Sequence, residues 1–242
     1  MSDSVIEVEA VTKRYGKITA VDDVSLRIPA GQVYSLVGAN GAGKSTLIRM
    51  IVGITEPDAG RISICGDDLT HRAAATKRHL GYLPEELILY DRLTGREYLE
   101  LVAGLKDASD AKIPEEVRFF ELDQVENKLV GGYSLGMRKK LGLAAAVIGS
   151  PEVLILDEPL NGLDVEMMRK LRLRIEDERG QGRAVLVSSH VMSFVERVSE
   201  RVGVMRRGHI VAEGSPDELR DLTKMHDAPF EDVFFRLATA VE

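Results

Sequence analysis

Gly38-Ala39-Asn40-Gly41-Ala42-Gly43-Lys44-Ser45 decides how this chain folds. Gly38 and Gly43 enclose four residues, and Lys44, Ser45 and Thr46 follow at once. Glycines let the backbone curl until successive N–H groups point inward, and such a curl holds phosphate oxygens. The helix that starts here adds the positive end of its dipole. Lys44 brings a full charge to the phosphates, and Ser45 a hydroxyl suited to Mg²⁺. The flanks agree. Val33–Val37 (VYSLV) is continuously apolar, as a buried central strand is. Residues 44–52 set Leu47, Ile48 and Ile51 on one helical face. The plain alternative is a glycine-rich turn before an ordinary helix; the Lys-Ser-Thr run in this setting argues against it.

A second strong segment is Val153-Leu154-Ile155-Leu156-Asp157-Glu158-Pro159. Four apolar residues bury a strand and leave two acids at its C-terminal end, where open parallel sheets bind ligands. Adjacent side chains on a strand point opposite ways, so the acids are expected to divide the work. Asp157 is expected to hold Mg²⁺, directly or through water. Glu158 is expected to face the attacking water as general base or orienter. Alone, such a segment is often a strand ending in solvated acids. Beside the phosphate loop it reads as part of a nucleotide hydrolase.

Around these segments the pattern is strand, helix, strand, helix. Residues 6–11 and 24–28 alternate apolar and polar, as half-exposed strands do, and 61–65 adds another short strand containing Cys65. Between 91 and 149 the texture turns helical, with helices predicted at 95–105, 114–122 and 136–148. Strands return at 153–157 and 184–188, each followed by a helical pattern, 165–175 and 191–198. That order points to a parallel sheet covered by helices. Residues 202–205 and 210–212 suggest a closing hairpin, and the tail beyond Pro216 two short helices.

Bulk composition narrows the class. A chain of 242 residues has room for one large domain or two small lobes around a real core. Its formal charge of −7 disfavours a general nucleic-acid partner. With Cys65 the only cysteine, no internal disulfide can form, and a small half-buried apolar role fits it better than a reactive thiol. The longest apolar stretch, 141–149, falls far short of the ~18 residues of a spanning helix. The acidic start MSDSVIEVEA is unlike a signal peptide. The expectation is a cytoplasmic protein, peripheral on a membrane only through a partner.

Tyr133-Ser134-Leu135-Gly136-Met137 opens the helix ahead of the acid strand. It resembles the signature loop of ATP-binding cassette (ABC) proteins, usually Leu-Ser-Gly-Gly-Gln. The family's other motifs stand in the same order over almost the whole chain. Tyr15 lies where its aromatic residue stacks on adenine, and Pro84-Glu85-Glu86 where its Gln loop lies. Asn161-Gly162-Leu163-Asp164 resembles the loop after the acid strand, and His190 the switch histidine. Singly, each has a bland reading: a surface aromatic, a turn with a helix cap, a hydrogen-bonded histidine. Arg138-Lys139-Lys140 and Arg169-Lys170 read as solvated helix faces, and Met167-Met168 as packing.

The resemblance implies an α/β phosphate-loop NTPase fold. Residues 1–90 and 150–213 would form a RecA-like core with a mixed sheet and an antiparallel β subdomain. Residues 91–149 would be the inserted α-helical subdomain and 214–242 a C-terminal helical tail. It also implies ATP and Mg²⁺ as cofactors, ATP hydrolysis, and a pair of copies sandwiching the nucleotide. ATP would lie on Tyr15 and on Gly38, Ala39, Asn40, Gly41, Ala42, Gly43, Lys44, Ser45 and Thr46 of one chain. Ser134, Gly136 and Asp164 would act from the other. Catalysis would fall to Glu158, His190 and Lys44, and the metal to Ser45, Asp157 and Glu85. Both half-sites look complete, so a homodimer is expected, or a heterodimer with a related ATPase.

The insert and the loop at Glu85 would dock a transmembrane permease. Two positions depart from the family: Glu85 replaces its commonest Gln, and Leu135 its first signature glycine. The Tyr-Ser-x-Gly-Met form, the stretch 81–86 and Phe230-Glu231-Asp232-Val233-Phe234 look like the ATPase subunits of two-component exporters. The competing reading is a soluble cassette ATPase serving a cytosolic partner, such as one in iron–sulfur assembly.

Overall fold

The computed structural model describes residues 4–69 and 76–239. Among these, two sheets carry the fold. The larger is built on β3 (Val33–Val37), β6 (Leu80–Leu83), β7 (Val153–Asp157), β8 (Ala184–Ser188), β9 (Arg201–Arg206) and β10 (His209–Gly214), in the order β10-β9-β3-β8-β7-β6. All neighbours pair in parallel except the hairpin β9–β10. The smaller sheet is antiparallel, ordered β2-β1-β4-β5, from β1 (Ser4–Tyr15), β2 (Ile18–Pro29), β4 (Ala59–Ile64) and β5 (Asp67–Asp68). The mixed core, antiparallel sheet and inserted helices are those the sequence predicted.

Alternation along the central strands divides the core into layers. Leu154 and Leu156 of β7 pack beneath the helical insert. Val153 and Ile155 face the other way, toward α1 (Lys44–Ile51) and the antiparallel sheet. The insert contains α2 (Gly95–Leu105), α3 (Ile113–Phe119) and α4 (Leu135–Val147). Thr94 and Glu97 close a capping box at the start of α2. Beyond the acid strand runs α5 (Val165–Gly180), and after β8 comes α6 (Met192–Val198). The tail forms α7 (Pro216–Thr223) and α8 (Phe230–Thr239), whose Phe230, Val233 and Phe234 cover Val202 and Val204 of β9.

Buried charge joins the insert to the core. Arg174 on α5 pairs with Glu116 on α3, and its Nε reaches Glu178 Oε1 at 2.8 Å; Arg183 pairs with Glu178 as well. Glu116 and Glu178 are almost fully buried. Losing one partner of such a network costs about 3–5 kcal/mol. Glu121 adds a second link, to Lys140 of α4 and Lys170 of α5.

Three sequence readings need correction. Strand β6 was not expected: Gly81 interrupts its apolar run, because a Cβ there would lie 2.1 Å from Ala146 O of α4. Cys65 is not in a strand; β4 stops at Ile64 and Cys65 sits in a left-handed turn at φ 51. Burial pushes its thiol up to about 11, in keeping with an unreactive group. The run Arg138-Lys139-Lys140 is not a solvated face. Arg138 pairs with Asp91 and Lys140 with Glu121, while Lys139 is only 3% exposed.

Candidate active site

The phosphate loop leaves β3 and enters α1 by a turn that only glycine fits. Gly43 has φ 107, and a Cβ there would meet Ala20 O at 2.3 Å. A Cβ on Gly38 would meet Met205 O at 2.4 Å, so β9 closes tightly on the loop. Lys44, mostly buried, folds back so that its ammonium donates to Gly38 O at 2.7 Å and Ala39 O at 3.4 Å. Ser45 Oγ lies 3.5 Å from Glu85 Oε2.

A cleft of about 630 Å³ opens over this loop. Asn40 to Thr46 form its floor, Tyr15, Ile18 and Ala20 one wall, and Glu85, Glu158 and Arg207 the remainder. Tyr15 ends β1 with half its surface open, so a planar group has a face to stack on. This gathers residues from widely separated stretches into one hollow.

The acids stand at the C-terminal end of β7. Ser188, fully buried at the end of β8, links them: its hydroxyl donates to Asp157 Oδ1 and accepts the Glu158 N–H at 2.9 Å. Burial raises the Asp157 carboxyl above its ordinary value, and the Ser188 hydroxyl opposes the rise. Glu158 takes a left-handed backbone, φ 46, which a non-glycine residue holds only when its surroundings insist. Its Oε2 lies 2.9 Å from His190 Nδ1. Thus Lys44, Ser45, Glu85, Asp157, Glu158 and His190 converge on one end of the sheet.

Ser134, Gly136 and Asp164 do not line this cleft. Ser134 and Asp164 are N-caps: Ser134 Oγ accepts from Met137 N of α4 at 3.3 Å, and Asp164 Oδ1 from Met167 N of α5 at 2.8 Å. The two helix starts meet each other instead, since a Cβ on Gly136 would lie 2.9 Å from Gly162 O. Leu135 beside them is 71% exposed.

A family model described as ABC transporter matches residues 21–161. The chain belongs to the ABC transporter family. It is an ATPase of the kind that serves as ATP-binding subunit. It is 36% identical to the bacitracin transport ATP-binding protein BcrA of Enterococcus faecalis, over 89% of this chain and 70% of that one. It is 37% identical to the daunorubicin resistance ATP-binding protein DrrA3 of Streptomyces coeruleorubidus, over 91% and 71%. A solved structure titled "Structure of ATP binding subunit of ABC transporter" superposes with a TM-score of 0.92 at 30% identity, covering 97% of this cassette and 99% of that chain.

Two residues that shape the cassette's site escaped the sequence reading. Ser188 was seen only as the end of a strand. Arg207 was seen only as part of a hairpin turn, yet it lines the cleft. Each owes its place to a neighbour distant in sequence, which no local signal announces.

Proposed function

We propose that this cassette binds MgATP in the cleft over Lys44 and, paired with a second copy or a related ATPase, drives export through a separate permease. The observation that carries this reading is the single hollow shared by Tyr15, the phosphate loop, Glu85 and Glu158. Adenine would stack on Tyr15, and the phosphates would lie along residues 38–46. Lys44 would exchange its two loop carbonyls for phosphate oxygens. Ser134 and Gly136, away from their own chain's cleft, would reach the terminal phosphate from the partner copy, and Asp164 would join the two sites. Glu158 would orient or deprotonate the water, and His190, already beside it, would hold the terminal phosphate in the transition state.

The donor set fits magnesium. Ser45, Glu85 and Asp157 offer only hard oxygen atoms, and Mg²⁺ prefers few carboxylates alongside phosphate and water. Among the described residues no group of three His, Cys, Asp or Glu could bind a metal by itself, which suits an ion carried in with nucleotide. The metal would supply charge neutralisation on the phosphates.

For the permease, the insert at 91–149 and the loop after Glu85 offer a docking face. Ile88 there is 91% exposed and Tyr90 64%. No helix among the described residues is long and apolar enough to cross a membrane. The transport and resistance names of the relatives favour export over the cytosolic-assembly reading. Domain limits follow: core 1–90 and 150–213, insert 91–149, tail 214–242.

The test is Glu158→Gln. Turnover should fall at least a hundredfold while ATP binding persists and copies pair, as read by sedimentation with and without ATP. Retained turnover would remove Glu158 from the chemistry, and persistent monomers would remove the sandwich.

A further inference from the structure

Lys139 is a buried lysine that the mechanism above does not use. It is 3% exposed, and its side chain makes no hydrogen bond or ion pair among the described residues. A lysine almost never hides in this way without compensating charge nearby.

The packing of α4 shows where it points. Lys139, Gly142 and Ala146 lie three and four residues apart, on one face of the helix. Ala146 O crowds Gly81 at the start of β6. A Cβ on Gly142 would lie 2.6 Å from Leu87 Cδ2 and 2.8 Å from Leu83 Cδ1. This face therefore runs antiparallel along β6, and its next turn, at Lys139, reaches the loop that carries Glu85. Strand β6 pairs with β7 in parallel, Leu83 opposite Leu156, so that loop emerges level with Asp157 and Glu158. The charges that act on Lys139 are those of Asp157, Glu85 and Glu158; burial lowers its pKa and the three acids oppose the fall.

We propose that Lys139 is a positioning residue of the nucleotide site. Its ammonium is the internal counter-charge that lets Glu85, Asp157 and Glu158 stand together before metal arrives. It stands on α4, whose start bears Ser134 and Gly136, and acts on the three acids through space, without a direct bond. The charge balance supports this. The cleft lining holds Glu85 and Glu158 against Lys44 and Arg207, and the buried Asp157, next to Glu158 at the end of β7, adds a third acid. Without Lys139 an anionic nucleotide meets an acidic surplus. Glu85, in place of the neutral Gln commonest in the family, is the acid that makes a further cation necessary.

This inference rests on the MgATP reading of the cleft, and the experiment separates the two. ATP affinity of the full chain is measured by calorimetry with Mg²⁺ and again with EDTA. Removing the ammonium by Lys139→Met weakens metal-free ATP more than MgATP, because the metal replaces the lost charge. The ratio of the two dissociation constants should rise about threefold to thirtyfold, as expected for a unit charge several ångströms away in a partly screened site. Lys139→Gln, which keeps a polar tip, should behave alike should the methionine variant fold poorly. Lys139→Arg, which keeps the charge, should leave the ratio at the wild-type value.

A purely structural lysine would weaken both affinities in parallel. A ratio unchanged within twofold in both neutral variants overturns the proposal, as does a Lys139→Arg variant whose ratio rises as far as theirs. Wild-type protein that binds no ATP in either buffer would instead refute the nucleotide reading.

Discussion

Removing one oxygen atom, in Ser188→Ala, should damage both stability and turnover while sparing nucleotide affinity. The Ser188 hydroxyl is fully buried and does two things: it accepts the Glu158 N–H at 2.9 Å and donates to Asp157 Oδ1. Alanine leaves a buried amide without an acceptor, worth about 1–3 kcal/mol, and removes a charged hydrogen bond worth about 1.5–3 kcal/mol. A water entering the gap would recover part, so the loss should be about 2–4 kcal/mol. For a chain of this size that lowers Tm by roughly 5–12 °C, read by calorimetry. The catalytic effect follows from the backbone. Glu158 sits at φ 46, a conformation that costs about 1–3 kcal/mol and that the bond to Ser188 helps to hold. Released, Glu158 can relax away from His190 and from the water it would orient. Misplacing such a group costs about 10–100-fold in kcat. The phosphate loop is untouched, so the Kd for ATP should stay within twofold. A Tm within 1 °C of wild type and an unchanged kcat would show that Ser188 holds neither acid.

Other outcomes follow from the same geometry. The Lys106 ammonium donates to Ile148 O at 2.9 Å and to Ala146 O at 3.2 Å at the end of α4, and burial pushes its pKa down to about 8. The folded chain then loses this proton before the unfolded chain does, so stability should rise as pH climbs from about 8 toward the ordinary lysine value, by up to about 3 kcal/mol. Urea unfolding of Lys106→Met should lack that rise; an identical pH profile would place the ammonium in water. Arg207→Ala should weaken ATP and ADP alike by about threefold to tenfold, whereas Arg118→Ala, an exposed arginine on α3, should change neither. Leu135→Gly should open the backbone at Ser134–Gly136 and tighten the ATP-driven pairing of Glu158→Gln copies at least threefold in sedimentation. Weaker pairing would make the leucine itself an interface residue.

What was legible in the sequence was whatever local chemistry dictates. The bounds of β3, α2, β7 and β8 match the sequence reading, because each begins and ends on a change of hydrophobic pattern or a capping residue. The phosphate loop was legible because its glycines answer a local demand of the backbone. Strand β6 was not, since Gly81 is explained by Ala146 O, a neighbour 65 positions along the chain. Lys139 shows the same limit with greater consequence. A basic triplet on a helix looks solvated until α4 is laid against β6, and then its middle member is buried and the outer two are paired. Periodicity could have hinted at it, because Lys139 shares a stripe with Gly142 and Ala146, but only the sheet says what that stripe faces. Ser188 and Arg207 belong to the same class, as their work depends on β7 and on the cleft.

The groups proposed for catalysis are paired within the chain, and this shapes how the cassette would work. Lys44 is held by loop carbonyls, His190 by Glu158, Asp157 by Ser188, and the Ser134 oxygen by the α4 cap. A nucleotide gains only the difference between the contacts it makes and those it displaces. The exchange is cheapest at Lys44, where a charge trades neutral carbonyls for phosphate; His190 meets Glu158 through Nδ1 alone, so its Nε2 would reach phosphate without giving up the carboxylate. ATP should therefore bind first through the phosphate loop. Ser134 need give up nothing, because its oxygen can go on accepting from Met137 N while its proton turns to a phosphate.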